Sequence, residues 1–166
     1  MDTIQFAELA TEHLPVVLDI YNHYVLHTTA TFHSHVLSMN EMKDLVIFES
    51  PVYKTFVIFQ DESLCGYVLL TQFKKREAYD GTAEVTIYLK SDFTGKGIGN
   101  LALDFIESYA STKELHVLLA TICGENAASV KLFEKCGYTR CARYKEVGKK
   151  FGKSLDVVVY QKIIDC

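Results

Sequence analysis

Residues 94–100 read Thr94-Gly95-Lys96-Gly97-Ile98-Gly99-Asn100, with a β-rich run before them and an amphipathic helical pattern after. Glycines let main chain come close to a ligand, and successive N–H groups at a helix start converge on phosphate oxygens. A diphosphate or a ribose phosphate is the natural guest of such a turn. Taken alone, Gly-x-Gly is more often a tight strand-to-helix connection with no ligand, so spacing has to narrow the chemistry. A P-loop requires G-x-x-x-x-G-K-S/T, and Lys96 is followed by Gly97, not a hydroxyl residue. A dinucleotide fingerprint requires G-x-G-x-x-G near the first strand. Here the third glycine comes one residue early and the run lies past mid-chain.

The elements that must position this turn follow from hydrophobic periodicity. Ile4 to Glu8 reads as an opening strand. Thr11 reads as the cap of a helix with an apolar stripe of Leu14, Val17, Leu18, Tyr21, Tyr24 and Val25. Ser38 and Glu41 form a capping box ahead of a second helix through Leu45 and Ile47. Thr55 to Gln60 and Leu64 to Thr71, separated by Asp61-Glu62-Ser63, form a hairpin pattern, and the strand Ala83 to Leu89 leads into the glycine turn. The helix after it sets Ile98, Leu101, Ala102, Phe105, Ile106 and Tyr109 on one face. Leu115 to Ile122 is apolar enough for a strand covered on both sides. Asn126 opens a short helix through Phe133, which Gly137 ends in a left-handed cap. Two closing strands, Tyr138 to Val147 and Leu155 to Ile163, flank a turn near Gly148 and Gly152. The order β-α-α-β-β-β-α-β-α-β-β predicts an α/β fold, a mixed central β-sheet flanked by helices on both faces.

Composition bounds the partners. A chain of 166 residues suits one domain over 1–166, and its 49% hydrophobic content fills a sizeable core. With 2 prolines and 9 glycines, no linker stands out. A net charge of -4 argues against a nucleic-acid partner. Residues 1–10 lack a signal-peptide pattern and no run is long enough to span a bilayer, so a cytoplasmic protein with no membrane partner is expected. Cys65, Cys123, Cys136, Cys141 and Cys166 are odd in number and form no C-x-x-C pair. They read as reduced thiols, not as a disulfide frame or zinc site. The six histidines are scattered, so no metal is expected.

Thr94 to Gly99 resembles the acyl-CoA signature Gln/Arg-x-x-Gly-x-Gly/Ala of the GNAT superfamily of N-acetyltransferases. Further stretches are similar to its phosphinothricin acetyltransferase group. Asp19-Ile20-Tyr21-Asn22-His23-Tyr24 with Thr29-Ala30-Thr31-Phe32 resembles the first helix and substrate loop. Arg76-Glu77-Ala78-Tyr79-Asp80 and Thr82-Ala83-Glu84-Val85-Thr86-Ile87-Tyr88 resemble the central strand and its approach. Asn126-Ala127-Ala128-Ser129 with Glu134-Lys135-Cys136-Gly137-Tyr138 resembles the late helix, and Val147-Gly148, Lys150-Phe151-Gly152 and Leu155-Asp156 the closing hairpin. In that order and spacing they cover nearly the whole chain.

The resemblance implies a GNAT-type fold, acetyl-CoA as co-substrate, and direct acetyl transfer to a small amino-acid-like amine of the phosphinothricin, methionine sulfone or methionine sulfoximine type. It implies that Gly95, Lys96, Gly97, Ile98, Gly99 and Asn100 hold the CoA pyrophosphate. Ile87, Tyr88 and Leu89 would meet the pantetheine arm as an added strand, and Asn126 and Lys135 would contact CoA further. An N–H near Ile87 would stabilise charge developing on the thioester oxygen. Glu84 corresponds to the family's proposed general base. An ammonium cannot attack until it loses a proton, and a carboxylate in a largely apolar strand is raised toward neutrality by desolvation. Its bland alternative is pairing with Arg76 or facing solvent. Phe32, Arg76, Tyr79 and Thr86, with Tyr88, correspond to the substrate pocket, where an arginine fork suits a carboxylate or phosphinate. Dimeric relatives imply a homodimer.

Three positions depart from the pattern. Thr94 stands where Gln or Arg is usual, Phe133 where relatives carry a proton-donating His or Tyr, and Gly81 where a bulkier residue would narrow the pocket. Two rival readings stay open: a GNAT acting on protein N-termini or lysines, and an acyl-CoA-binding module without turnover.

Overall fold

In the computed structural model, which describes residues 2–164, the strands and helices follow the order expected from the sequence. They are β1 (Ile4–Glu8), α1 (Leu14–His27), α2 (Met39–Val46), β2 (Thr55–Gln60), β3 (Ser63–Gln72), β4 (Thr82–Leu89), α3 (Ile98–Thr112), β5 (Val117–Cys123), α4 (Ala127–Lys135), β6 (Thr139–Lys150) and β7 (Lys153–Ile163). Cys166, expected as a free thiol, lies outside the described residues; Cys65, Cys123, Cys136 and Cys141 are free.

The strands form one seven-stranded sheet in the order β1-β2-β3-β4-β5-β7-β6. Every neighbouring pair is antiparallel except β4 and β5, which run parallel. Alternation along the strands divides the interior into two cores. Ala83 and Val85 of β4, Leu118, Ala120 and Ile122 of β5, and Val158 and Tyr160 of β7 pack with α3 residues Ile98, Ala102, Leu103 and Ile106. Val57 of β2 and Tyr67 and Leu69 of β3 pack on the opposite face with Leu14, Val17, Ile20, Tyr21 and Val25 of α1 and Met42 and Val46 of α2.

Several boundaries differ from the periodicity reading. Thr11 does not cap α1; it begins a single 3₁₀ turn, Thr11–His13, in which His13 Nδ1 accepts the Ala10 N–H at 2.9 Å. Pro15 then sits in the first turn of α1, where its missing N–H costs nothing. Ile20 joins the buried stripe in place of Leu18, which is only half-buried. On α2 the buried pair is Met42 and Val46, whereas Ile47 is the exposed C-cap. The Ser38–Glu41 capping box is formed in both directions. Leu101 of α3 is exposed, and Gly99, Leu103 and Ala110 fill the core-facing side. The final turn is Phe151-Gly152, both at positive φ, while Gly148 belongs to β6. At the end of α4, Gly137 (φ 91) accompanies Tyr138 N–H to Phe133 O at 3.0 Å and Gly137 N–H to Glu134 O at 3.1 Å. This is a Schellman pattern, which satisfies the last carbonyls.

One close approach fixes the end of β4. Gly66 of β3 stands opposite Leu89. A Cβ there would lie 2.5 Å from the Tyr88 carbonyl oxygen and 2.6 Å from Leu89 Cδ2. Main chain cannot yield as a side-chain tip can, so Gly66→Ala forces β3 and β4 apart. The expected loss is about 1–3 kcal/mol in urea unfolding; wild-type stability would show that the strands separate without cost.

Candidate active site

Strands β4 and β5 are paired for only three rungs, Thr82↔Val117, Ala83↔Leu118 and Glu84↔Leu119. Beyond Glu84 the two part, although β4 stays paired with β3 through Leu89 and β5 stays paired with β7 through Cys123. The first rungs are fixed by the Gly81 carbonyl, which accepts from the N–H groups of His116 (2.7 Å) and Val117 (3.0 Å). A Cβ on Gly81 would make only an ordinary 3.8 Å contact with His116 Cβ. The β5-facing edge of β4 is therefore open from Val85 onward. Of the residues expected to form an added strand, Leu89 already has its carbonyl taken by the Tyr24 hydroxyl. Ile87 and Tyr88 are the other two residues of that expected set.

Glu84 sits at the point of parting. Strand alternation puts Glu84, Thr86 and Tyr88 on the face opposite Ala83 and Val85. Thr121, two residues beyond Leu119 on β5, offers its hydroxyl to Glu84 Oε1 at 3.5 Å. Glu84 is only partly exposed, and burial raises its carboxyl pKa above the ordinary value, a rise the Thr121 hydroxyl partly offsets. Arg76 does not pair with it. Arg76 is exposed, with its guanidinium 5.3 Å from the centre of the Tyr79 ring. Lys74 lies over the same ring at 5.4 Å, so two cations gather on the turn that enters β4.

Tyr88 closes the other end of this face. Its ring meets Tyr21 (5.5 Å), Tyr24 (5.1 Å) and Tyr67 (5.6 Å), and burial among them holds its hydroxyl protonated. The connection from α1 to α2 covers the face. Asn22 grips its far end through Leu37, with Oδ1 accepting the N–H at 2.8 Å and Nδ2 donating to the carbonyl at 3.1 Å. Thr29 donates to Glu125 Oε1 at 2.6 Å, and Thr31 shares a 2.6 Å hydrogen bond with Tyr21. Phe32 is 39% exposed, and its ring lies over Gly148, where a Cβ would stand 2.3 Å from ring carbon Cε2. Tyr21, Thr31, Glu125, Thr121 and Lys153, which bonds Glu125 at 3.2 Å, were not singled out as site residues from the sequence. Apart from Tyr21 and Thr31, which lie within the resembling stretches, no local pattern marks them, because their partners are remote along the chain.

The glycine turn lies at the other end of the open edge. Gly95 (φ 73) and Gly97 (φ 82) are left-handed, and a Cβ on either would meet nothing within 4 Å. Gly97 is the N-cap of α3, so the N–H groups of Ile98, Gly99 and Asn100 begin the helix. These are the donors that a helix leaves without internal partners. Thr94 donates to the Ser91 carbonyl at 2.8 Å and so closes the preceding turn. Lys96 is exposed, 5.3 Å from the Phe93 ring centre. Helix α4 packs closely here: a Cβ on Gly99 would come within 2.9 Å of Leu132 Cδ2, and the Cys136 thiol donates to Asn100 Oδ1 at 3.3 Å. Lys135 is exposed on that same last turn of α4. Asn126 caps α4, its Oδ1 accepting Ser129 N–H at 3.2 Å. Phe133 is buried in the core against Tyr138, with ring centres 5.0 Å apart. Among the described residues, no group of three His, Cys, Asp or Glu side chains could hold a metal ion.

The chain and its fold are similar to those of known proteins. The sequence profile of the family described as "Acetyltransferase (GNAT) domain" matches residues 11–159. The chain is 31% identical over 155 residues to a phosphinothricin N-acetyltransferase of Streptomyces coelicolor, covering 91% of each protein. It is 30% identical over 166 residues to the L-methionine sulfoximine/L-methionine sulfone acetyltransferase of Salmonella typhimurium, covering 98% of this chain and 95% of that one. The solved GNAT superfamily phosphinothricin acetyltransferase from Sinorhizobium meliloti, in complex with acetyl-CoA, matches with a TM-score of 0.90 at 26% identity, over 98% of this chain and 89% of that one. The chain belongs to the GNAT acetyltransferase family and is an N-acetyltransferase.

Proposed function

We propose that this enzyme transfers an acetyl group from acetyl-CoA directly to the amine of a small amino-acid-like substrate of the phosphinothricin or methionine sulfoximine type. The observation that carries the reading is the parting of β4 and β5 at Glu84, the residue the chemistry needs at the inner end of an acyl-donor cleft. The fit to CoA rests on the open β4 edge, which can pair with an amide-bearing arm, and on the left-handed glycines at the α3 N-terminus, which suit a pyrophosphate.

Acetyl-CoA supplies the activated thioester carbonyl. Glu84, its carboxylate made more basic by burial, takes a proton from the substrate ammonium directly or through water. The main-chain N–H near Ile87 donates to the carbonyl oxygen as negative charge develops there. The amine nitrogen forms the new C–N bond, the C–S bond breaks, and a thiolate leaves. Phe133 cannot protonate it, but a thiol's pKa of about 8.5 makes the thiolate a tolerable leaving group. Thr86 and Phe32 line the amine side, and Arg76 over Tyr79 receives the substrate's acidic group. Gly95 to Asn100, with Ile87, Tyr88, Leu89, Asn126 and Lys135, hold CoA. The reading treats 1–166 as one domain, supported by the single continuous sheet. It also takes the enzyme as a cytoplasmic homodimer acting on neither nucleic acid nor membrane. The free thiols support the compartment, and exposed Tyr144, Val147 and Phe151 on the β6–β7 hairpin support the dimer.

Acetyl-dependent thiol release across phosphinothricin, methionine sulfone, methionine sulfoximine and the common amino acids tests the substrate class. Turnover confined to peptide N-termini or lysines would transfer the site to protein substrates, and binding without turnover would make it a CoA-binding module. Gly97→Ala puts a side chain at φ 82, which costs about 1–2 kcal/mol of stability. It should weaken acetyl-CoA binding in calorimetry at least tenfold; unchanged affinity in the folded variant rejects the turn as the pyrophosphate site.

Glu84→Gln should lower kcat by about 10²–10⁴-fold with acetyl-CoA affinity retained. The same substitution has a stability signature. Because the folded carboxyl holds its proton more tightly than in the unfolded chain, Glu84 contributes fully only below the unfolded pKa. That contribution is lost as pH rises through the folded pKa. Glu84→Gln should therefore flatten Tm against pH across this window, and wild-type turnover or an unaltered Tm profile contradicts the assignment. Because Arg76 is solvent-exposed, its charge-assisted contact is worth roughly 1–2 kcal/mol, less than a desolvated pair. Arg76→Ala should raise KM for the amino acid about five- to thirtyfold and leave that for acetyl-CoA unaltered; equal effects on both would return Arg76 to the plain surface.

A further inference from the structure

Lys150, the last residue of β6, is 5% exposed, a burial rare for lysine unless an acid accompanies it. Among the described residues no carboxylate pairs with it. Its Nζ donates to the main-chain carbonyl of Thr31 at 2.7 Å, and the Phe151 ring centre lies 5.1 Å away. Burial lowers its pKa, with Cys123 pulling the other way. Ladder register shows which way the side chain projects. Gly148 pairs with Leu155 and Lys150 with Lys153, so both stand on the face shared by Val157 and Val159 and, across β5, by Cys123 and Thr121. That is the Glu84 face.

The Thr31 main chain is thus gripped from the sheet while its hydroxyl is gripped by Tyr21, whose ring abuts Tyr88 of β4. Phe32 follows directly, with its ring seated over Gly148 two residues before Lys150. We propose that Lys150 is a positioning residue for the amine substrate: by tethering the Thr31 carbonyl it holds the connection 28–38, and with it Phe32, over the Glu84 face. This rests on the acetyltransferase reading above. An ammonium suits the task because it can donate to the carbonyl and still lie along an apolar wall. The acetyl-CoA cleft of that reading begins beyond Glu84, where β4 and β5 part, whereas the tether joins the end of β6 to the connection 28–38. A mere core residue would carry no such asymmetry.

Lys150→Met keeps the stem and removes the donor. Expected are at least tenfold faster amide hydrogen exchange across 28–38, at least a tenfold rise in KM for the best amine of the screen, and acetyl-CoA affinity within twofold of wild type by calorimetry. Lys150→Arg, which restores a donor, should return exchange and KM to within about threefold. If Lys150→Met does not fold, Lys150→Gln, whose amide stops one atom short, carries the same expectation. Unchanged loop exchange overturns the tether, whether or not the enzyme proves active. Unchanged amine KM, or acetyl-CoA affinity falling in step with it, overturns the positioning role. A wild-type enzyme inactive on every amine, with loop exchange responding as expected, sinks the substrate reading and leaves the tether standing.

Discussion

The parting of β4 from β5 is the constraint on which the site depends. A strand inside a sheet that loses its neighbour leaves main-chain N–H and C=O groups unpaired, and a buried unpaired group costs about 1–3 kcal/mol. The fold keeps both strands in place regardless. β4 is paired with β3 from Ala83 to Leu89, and β5 with β7 from Val117 to Cys123. Each strand is therefore anchored on its outer side and free on its inner one. An extended amide-bearing arm would pair with the free edge of β4, which is why the proposed reading seats the pantetheine arm there.

The same parting explains the state of Glu84. On the last shared rung it has sheet on both flanks and the covering connection above, so its carboxylate loses hydration without gaining a cation. Thr121 supplies one long hydrogen bond at 3.5 Å, which offsets only part of the rise that burial causes. Had Arg76 paired with it, the pKa would have been driven down, against the proposed role as base. Arg76 instead rests on Tyr79 at the turn into β4, where it remains available.

How much of this could be read from the chain depends on how local each cause is. Gly95 and Gly97 take left-handed conformations that few other residues tolerate, and the Ser38–Glu41 box satisfies its own helix, so both were legible. The element order followed from periodicity for the same reason. Thr11 misled because the chain enters α1 through a 3₁₀ turn that starts at Thr11, with Ala10 as its N-cap and His13 Nδ1 accepting the Ala10 N–H. Leu101 and Ile47 misled because a helical stripe shows the period of burial but not which edge of it the sheet reaches. The supports of the site lay beyond reach altogether. Lys150 and Thr31 are 119 residues apart and Thr29 and Glu125 96, so although Thr29, Thr31 and Lys150 lie in the resembling stretches, nothing local shows which partner each one meets.

The charge arrangement suggests why a zwitterion would fit the proposed site better than a simple amine. The chain carries a net charge of -4, yet the turn entering β4 gathers Lys74 and Arg76 on one tyrosine face. Glu84 lies a few residues further along β4, at the inner end of the cleft. A substrate with an acidic group at one end and an ammonium at the other can satisfy both poles at once. A monoamine would meet Glu84 alone and leave the cations to solvent. Because both cations are exposed, the orienting energy they supply is modest and screened by salt. Shape must then supply the remaining discrimination, and the surfaces able to do so are Phe32 over Gly148 and Tyr88 within its tyrosine cluster.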